Sequence, residues 1–158
     1  MAETPIRSGD DEDLRAMVAH AHAVAATVTV ESAQSAFGQH GVDFIAVLEG
    51  ERLVGVCARR ELTAVLGSRY GFALNARRAV TEQMLAGPLC IRVATPMTEV
   101  FKATAVRSDR AFHDDVVLVD ADNHFLGMIP VRTIMRRQTE HLLGNIARVE
   151  ASRREIAE

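Results

Sequence analysis

The chain has 158 residues, 48% of them hydrophobic and 25% charged, with a formal net charge of −3 at pH 7. That is the composition of a folded domain of ordinary size; it excludes wholesale disorder, and the negative charge argues against a nucleic-acid partner. No apolar run approaches the ~18 residues of a membrane span, the N-terminus MAETPIRSGDDEDLR is too polar for a signal peptide, and Cys57 and Cys90 share no metal or disulfide spacing, so both read as small buried hydrophobes in a reducing cytoplasm.

In chain order, Asp11, Glu12 and Asp13 suit the first turn of a helix, where acidic side chains meet the positive end of the dipole. Leu14, Met17, Val18, Ala21 and Val24 or Ala25 continue it at helical spacing. The β-branched ATVTV (26–30) predicts a first strand. Ser32 is expected to cap the next helix, with Ala33, Ala36 and Phe37 on its buried face and Gly41 at its end. VDFIAVL (42–48), the turn EGER and LVGVCA (53–58) predict a β-hairpin. Leu62, Val65 and Leu66 then predict a helix over 59–71, and FALNARRAVTEQML (72–85) a further helix broken at Pro88. In the second half LCIRV (89–93) reads as a strand. Thr95 caps a helix from Pro96 that carries Met97, Val100, Phe101 and Thr104. VVLVD (116–120) and FLGMI (125–129) form a second hairpin, with Asp122-Asn123 in a turn that tolerates positive φ. Pro130 falls at the first turn of the last helix.

The two halves repeat. Gly55 falls on Gly127, Val47 on Val119, Ile45 on Val117, Asp43 on Asp115 and Leu62 on Ile134 at one offset of 72 residues, whereas Val30 falls on Val93 at 63, which predicts nine extra residues in the second copy. One strand-helix-strand-turn-strand-helix unit cannot cover both faces of its small sheet; two packed face to face can. The expected fold is α/β: two β-α-β-β-α repeats related by a pseudo-two-fold axis, plus an N-terminal helix and a long C-terminal helix. The motifs VDFIAVLEGERLVGVCARREL (42–62), VTEQMLAGPLCIRVATPMTEV (80–100) and DDVVLVDADNHFLGMIPVRTI (114–134) resemble the tandem cystathionine β-synthase (CBS) domain pair, or Bateman module. SRYGFALNARRAV (68–80) is similar to the linker of bacterial CBS pairs placed ahead of diguanylate cyclase or serine/threonine phosphatase domains. The resemblance covers about residues 23–138. It implies an N-terminal tail and helix (1–22), a first repeat (23–80), a second repeat (81–138) and a C-terminal signalling helix (139–158).

The resemblance also implies an adenosine ligand such as AMP, ADP or ATP between the repeats, at the family motif G-h-x-[Ser/Thr]-x-x-Asp, where h is apolar. The chemistry is local: a strand runs into a helix N-terminus whose free N–H groups favour phosphate, the hydroxyl adds a donor, and the carboxylate accepts from both ribose hydroxyls. The first copy reads Gly55-Val56-Cys57-Ala58-Arg59-Arg60-Glu61, so the hydroxyl is lost at Ala58, the carboxylate is one methylene longer, and Arg59 and Arg60 offer charge to phosphate. The second copy ends Pro130-Val131-Arg132-Thr133, with neither hydroxyl nor N–H at Pro130 and no carboxylate at Thr133, so this cleft is expected to bind more weakly or not at all. Val42, Phe44 and Ile45, and Asp115 and Val116 of the second copy, complete the implied ligand set. No cofactor is required and no metal is implied.

Other constellations are weaker. His20 and His22, placed on a helix, diverge by about 200° and make no metal pair. Asp120-Ala121-Asp122 opens like a calcium loop but has Phe125 where the sixth-position glycine belongs. Asp114 and Asp115 point to opposite faces of a strand and form no catalytic dyad. Cys57 sits at a core position, not a nucleophile's. Arg69, Arg77, Arg78, Arg136 and Arg137 read as solvated helix faces, with phosphate contact the alternative. Thr139, Leu142, Ile146, Val149, Arg153 and Ile156 are spaced 3-4-3-4-3, an a/d seam suited to a parallel coiled coil leading into an output domain, or to packing on the same chain. Apolar helix faces built from Leu62, Val65, Leu66, Ile134 and Met135 predict a homodimer whose main interface survives loss of the tail. The sequence thus reads as a cytoplasmic, bacterial regulatory module that senses a nucleotide and is not an enzyme. The alternative is a structural dimerisation module with degenerate clefts.

Overall fold

The computed structural model describes residues 9–157. Two three-stranded sheets carry the fold. The first contains β1 (Ala23–Ala25), β2 (Phe44–Glu49) and β3 (Arg52–Ala58), and the second β4 (Cys90–Arg92), β5 (Val116–Val119) and β6 (Phe125–Ile129). In each, the first strand runs parallel to the second, and the second and third form an antiparallel hairpin. Crossover helices α2 (Val30–His40) and α5 (Met97–Ala105) join the parallel strands, and α3 (Arg59–Gly67) and α6 (Val131–Ala157) leave the hairpins. A short helix α1 (Gly9–Ala16) precedes the first sheet; α4 (Gly71–Asn75) and a 3₁₀ turn (Val80–Gln83) join the halves. This is the expected pair of β-α-β-β-α repeats with an N-terminal and a long C-terminal helix.

Strand side chains alternate between faces, and here both faces are buried. Ile45, Val47 and Cys57 pack against Val30, Ala33, Phe37 and Leu62 from α2 and α3. Val116, Leu118 and Ile129 pack against Val100, Phe101 and Ile134 from α5 and α6. Phe44, Ala46, Val56 and Ala58 meet Val117, Val119 and Met128 in a third core between the sheets. The pseudo-two-fold axis passes between Arg52 and His124, equivalent residues that pair with each other as an isolated antiparallel bridge. Around it Leu53 N donates to Asn123 O and Phe125 N to Glu51 O, each at 3.0 Å.

Each sheet is completed by the segment leading into the other repeat. Leu85 N donates to Val56 O at 2.8 Å, and at the equivalent place Ala19 N donates to Met128 O at 2.9 Å. Met84 thereby lies over Gly55 and Val18 over Gly127, so close that a Cβ at either glycine would overlap the side chain above it. The repeated glycine therefore serves a close approach, not a turn. Turn flexibility sits elsewhere, at Gly50 (φ 63°) and, as expected, at Asn123 (φ 63°). Asp120 fixes the second turn by accepting from the backbone N–H groups of Asp122 and His124, each at 2.9 Å.

Several local expectations are corrected. The first strand is residues 23–25, not ATVTV, and Thr29 caps α2, its hydroxyl accepting from Ser32 N at 3.2 Å. The helix expected over 72–85 stops at Asn75, where Asn75 Nδ2 turns back onto Gly71 O, and the chain re-forms only as the 3₁₀ turn. The N-terminal helix ends at Ala16, and residues 19–20 are extended against β6. No side chain caps α5 at its N-cap, Pro96, and Thr95 makes no cap there. Val30 opens α2 and matches Met97, not Val93: the helices start 67 residues apart, β2 and β5 align at 71 and β3 and β6 at 72, so the second copy carries five extra residues, not nine, four before β5 and one in its hairpin turn, and Ile45 matches Val116, not Val117. Leu62 and Ile134 are buried in their own repeats, which reduces the expected partner face to the half-buried Val65 and Leu66 and the exposed Met135. Cys57 is buried, but Cys90 is exposed, because it lies on the outward positions of β4.

α6 runs unbroken for 27 residues, about 40 Å at 1.5 Å per residue. Its buried residues are Val131 and Ile134, and its contacts with the rest of the chain reach as far as Arg137 on Asp13 and the His141 ring 5.9 Å from that of Phe101. Beyond them the a/d seam is bare: Leu142 is 59% exposed and Ile156 83%, so the helix does not fold back on its own domain.

Candidate functional site

β3 runs straight into α3. Ala58, the N-cap of α3, gives it no side-chain hydrogen bond; the Arg59 N–H donates to Asp43 O at 2.8 Å, which leaves the N–H groups of Arg60 and Glu61 to face an anion. Beside this turn opens a cleft of about 350 Å³ with three walls: Arg60 and Glu61 of α3, the chain from Gln83 to Pro88, and the segment carrying Arg107, Arg110, Asp114 and Asp115. A second, shallower hollow lies on the other side of Arg60, between Phe44, Arg59, Thr63 and His113. The Arg60 guanidinium stands 5.7 Å from the centre of the Phe44 ring, within cation–π range.

The polar groups of the cleft are organised in pairs. Arg60 clamps Asp114 with both arms, at 2.7 and 3.0 Å. Asp114 is only 8% exposed at its side chain, and this hydrogen-bonded partner raises Arg60 above its ordinary value. Arg107 donates to the Asp114 backbone carbonyl at 2.7 Å. Arg110 reaches across the cleft to Glu61 Oε1 at 3.2 Å. Asp115 has no such clamp. Burial first, then the carboxylates of Asp43 and Asp114, push it up to about 6, against the pull of Arg132 and Arg107.

The structure brings three of the sequence candidates, Arg60, Glu61 and Asp115, to the cleft, and Phe44 and Arg59 to the neighbouring hollow. Val56 and Ala58 lie in the core between the sheets, and Gly55 lies under Met84. Ile45 and Val116 are turned into the two helix-side cores, with Val42 half-buried beside the first. Arg132 and Thr133 occupy the first turn of α6, equivalent to Arg60 and Glu61. The sequence reading missed Asp114, Arg107 and Arg110 as cleft residues. The signal was the length mismatch between the copies: α2 is followed by three residues before β2, α5 by ten before β5, and those ten carry both arginines.

The second cleft is furnished differently. By the pairing of Leu85 and Ala19, Val18–His22 stands where Met84–Pro88 stands in the first. Because this segment is extended rather than helical, His20 and His22 come together. Their rings stack at 5.2 Å, and His22 stacks on His40 at 3.9 Å. Burial, then the neighbouring imidazoles, hold His20 below its ordinary value. Arg69, Arg77, Arg78, Arg136 and Arg137 lie outside the first cleft; Arg78 returns to Leu74 O and Arg137 binds Asp13.

Comparison by sequence gives no match to a family model and none to a curated protein. Comparison by structure gives many. A CBS domain-containing protein from Bacillus anthracis superposes with a TM-score of 0.61 and 20% identity over 79% of this chain and 86% of that one. CBSX2 from Arabidopsis thaliana, solved in complex with AMP, superposes with 0.58 and 21% over 75% and 87%. The cytosolic domain of the magnesium channel MgtE, solved with ATP, gives 0.57 and 23% over 73% of this chain and 44% of that one. The fold is that of a tandem CBS-domain pair. No helix among the described residues is long and apolar enough to cross a membrane.

Proposed function

We propose that this chain is a regulatory module, not an enzyme, that binds an adenosine nucleotide in the cleft beside α3. The observation that carries the reading is the meeting, in one cleft, of a helix N-terminus lacking a side-chain cap, the Glu61 carboxylate and the arginines 60, 107 and 110. Glu61 would accept from the ribose hydroxyls, and the α3 N–H groups and arginines would face phosphate. The CBS-pair fold, with AMP bound in CBSX2 and ATP in MgtE, supports the same ligand class. In this reading residues 23–80 and 81–138 are the two repeats and 139–158 the output helix. Asp115 lines the cleft and feels the charge of Arg132 on α6, so a ligand there biases the start of that helix. The bare a/d seam of α6 supports a homodimer with parallel tails leading to an output domain, in the cytoplasm of a bacterial cell and without nucleic-acid or membrane partners.

The competing reading is a structural dimerisation module. Its support is that Arg60 and Glu61 are already paired within the chain, with Asp114 and Arg110. Calorimetry with AMP, ADP and ATP separates the two. Binding that weakens by about 10- to 100-fold in Glu61→Ala, the cost of leaving ribose hydroxyls unpaired, supports the sensor. No heat and no melting shift at millimolar nucleotide supports the dimerisation module.

A further inference from the structure

Four of the five extra residues of the second copy lengthen the segment 106–115, which folds as two successive turns, Ala111 N to Ser108 O and Asp114 N to Ala111 O, each at 3.0 Å. The turns hold Arg107 and Arg110 at the first cleft, and the two side chains are fixed to different degrees. Arg107 is half-buried and braced on a backbone carbonyl. Arg110 is 84% exposed, and the one contact shown for it is the Glu61 carboxylate. Arg60 has its charge met by both oxygens of Asp114, and its Nε lies at a longer 3.9 Å from the same Glu61 oxygen. An exposed single ion pair holds weakly against water, so the Arg110–Glu61 pair is the weakest closure across the cleft.

Glu61 is also the group that the nucleotide reading assigns to ribose, and this inference rests on that reading. A ribose that takes Glu61 must displace Arg110 and leave its guanidinium without an anion. A bare nucleoside offers nothing in exchange. A nucleotide offers phosphate, for which the planar guanidinium fork is the best-matched side chain. We propose that Arg110 tunes specificity by latching Glu61, so that the cleft favours phosphorylated adenosine ligands over the free nucleoside. Ribose and phosphate then bind cooperatively, because each frees the partner of the other.

The test is a crossed titration of adenosine, ATP and inorganic tripolyphosphate against the wild-type chain and Arg110→Ala, a substitution at an exposed position with melting temperature as the folding control. Arg110→Ala is expected to weaken ATP about tenfold and to strengthen adenosine about two- to fivefold, because Glu61 then keeps only its longer contact with Arg60. Tripolyphosphate, which cannot take Glu61, is expected to bind the wild type at least tenfold more weakly than ATP. If the wild type binds ATP and Arg110→Ala changes ATP and adenosine in the same direction, or neither, the latch is wrong while the nucleotide reading stands. If tripolyphosphate equals ATP, phosphate alone is read and the latch is wrong. If the wild type binds neither nucleoside nor nucleotide at millimolar concentration, the nucleotide reading falls and the latch with it.

Discussion

Asp115 makes the cleft responsive to pH. Burial and the facing carboxylates of Asp43 and Asp114 raise it from 3.8 to about 6. Its folded value therefore lies above its unfolded one. The protonated form stabilises the fold fully below about pH 4, and that stability is lost as pH rises through about 6. A rise of this size corresponds to about 3 kcal/mol. Asp115 is only partly buried, and solvent screening reduces the expected effect to about 1–2 kcal/mol. Asp115→Asn keeps the shape and removes the ionisation. Urea unfolding followed by circular dichroism, repeated from pH 4 to pH 7.5, is expected to show the variant gaining about 1–2 kcal/mol on the wild type across that range. Arg132→Ala, which removes an opposing charge, should shift the wild-type transition to higher pH. If wild-type and Asp115→Asn stabilities run parallel from pH 4 to 7.5, Asp115 is solvated and the cleft is not built as described.

The repeated glycines should differ in tolerance. Gly127→Ala meets Val18, a stiff β-branched side chain, with the His20 carbonyl behind it, and should cost about 2–3 kcal/mol; Gly55→Ala meets the flexible Met84 thioether and should cost about 1 kcal/mol, as chemical denaturation can measure. Cys90 should react with iodoacetamide in the native protein, while Cys57, buried and pushed up to about 12, should react only after unfolding; native labelling of both would contradict the packing of β3. Light scattering at micromolar concentration should show a dimer. Because Leu62 and Ile134 are spent inside their own repeats, removing residues 139–158 should dissociate it; a dimer unchanged by the deletion would move the interface to the exposed Phe72 and Leu74 of α4.

The hairpins were legible in the sequence because both faces of each are buried, so β2, β3, β5 and β6 appear as apolar runs around short polar turns, twice, although the single spacing of 72 holds for β3 and β6 while β2 and β5 align at 71. That repetition carried the fold class, the face-to-face packing and the α3 motif with Glu61. Of the short parallel strands, β4 was legible as LCIRV and β1 was not: it is three residues long, too short to show a period, and only pairing with β2 selects Ala23–Ala25 over the more β-prone ATVTV. The α1 continuation failed for a related reason: Val18 and Ala21 fit a helical stripe, but the backbone of Ala19 and His20 finds its partner on β6, and that tertiary ladder outweighs local spacing. The same extension brings His20, His22 and His40 together, a cluster that no sequence spacing announces. Cys90 and Cys57 read alike in apolar neighbourhoods, and only strand orientation separates the exposed thiol from the buried one. The cleft is the clearest division. Its α3 wall is a local motif, readable because a strand end and helix start are contiguous in the chain. Its opposite wall, with Arg107, Arg110 and Asp114, is contributed by residues 46 to 54 positions away from Arg60 and Glu61, and their charges meet only because the two sheets pack face to face.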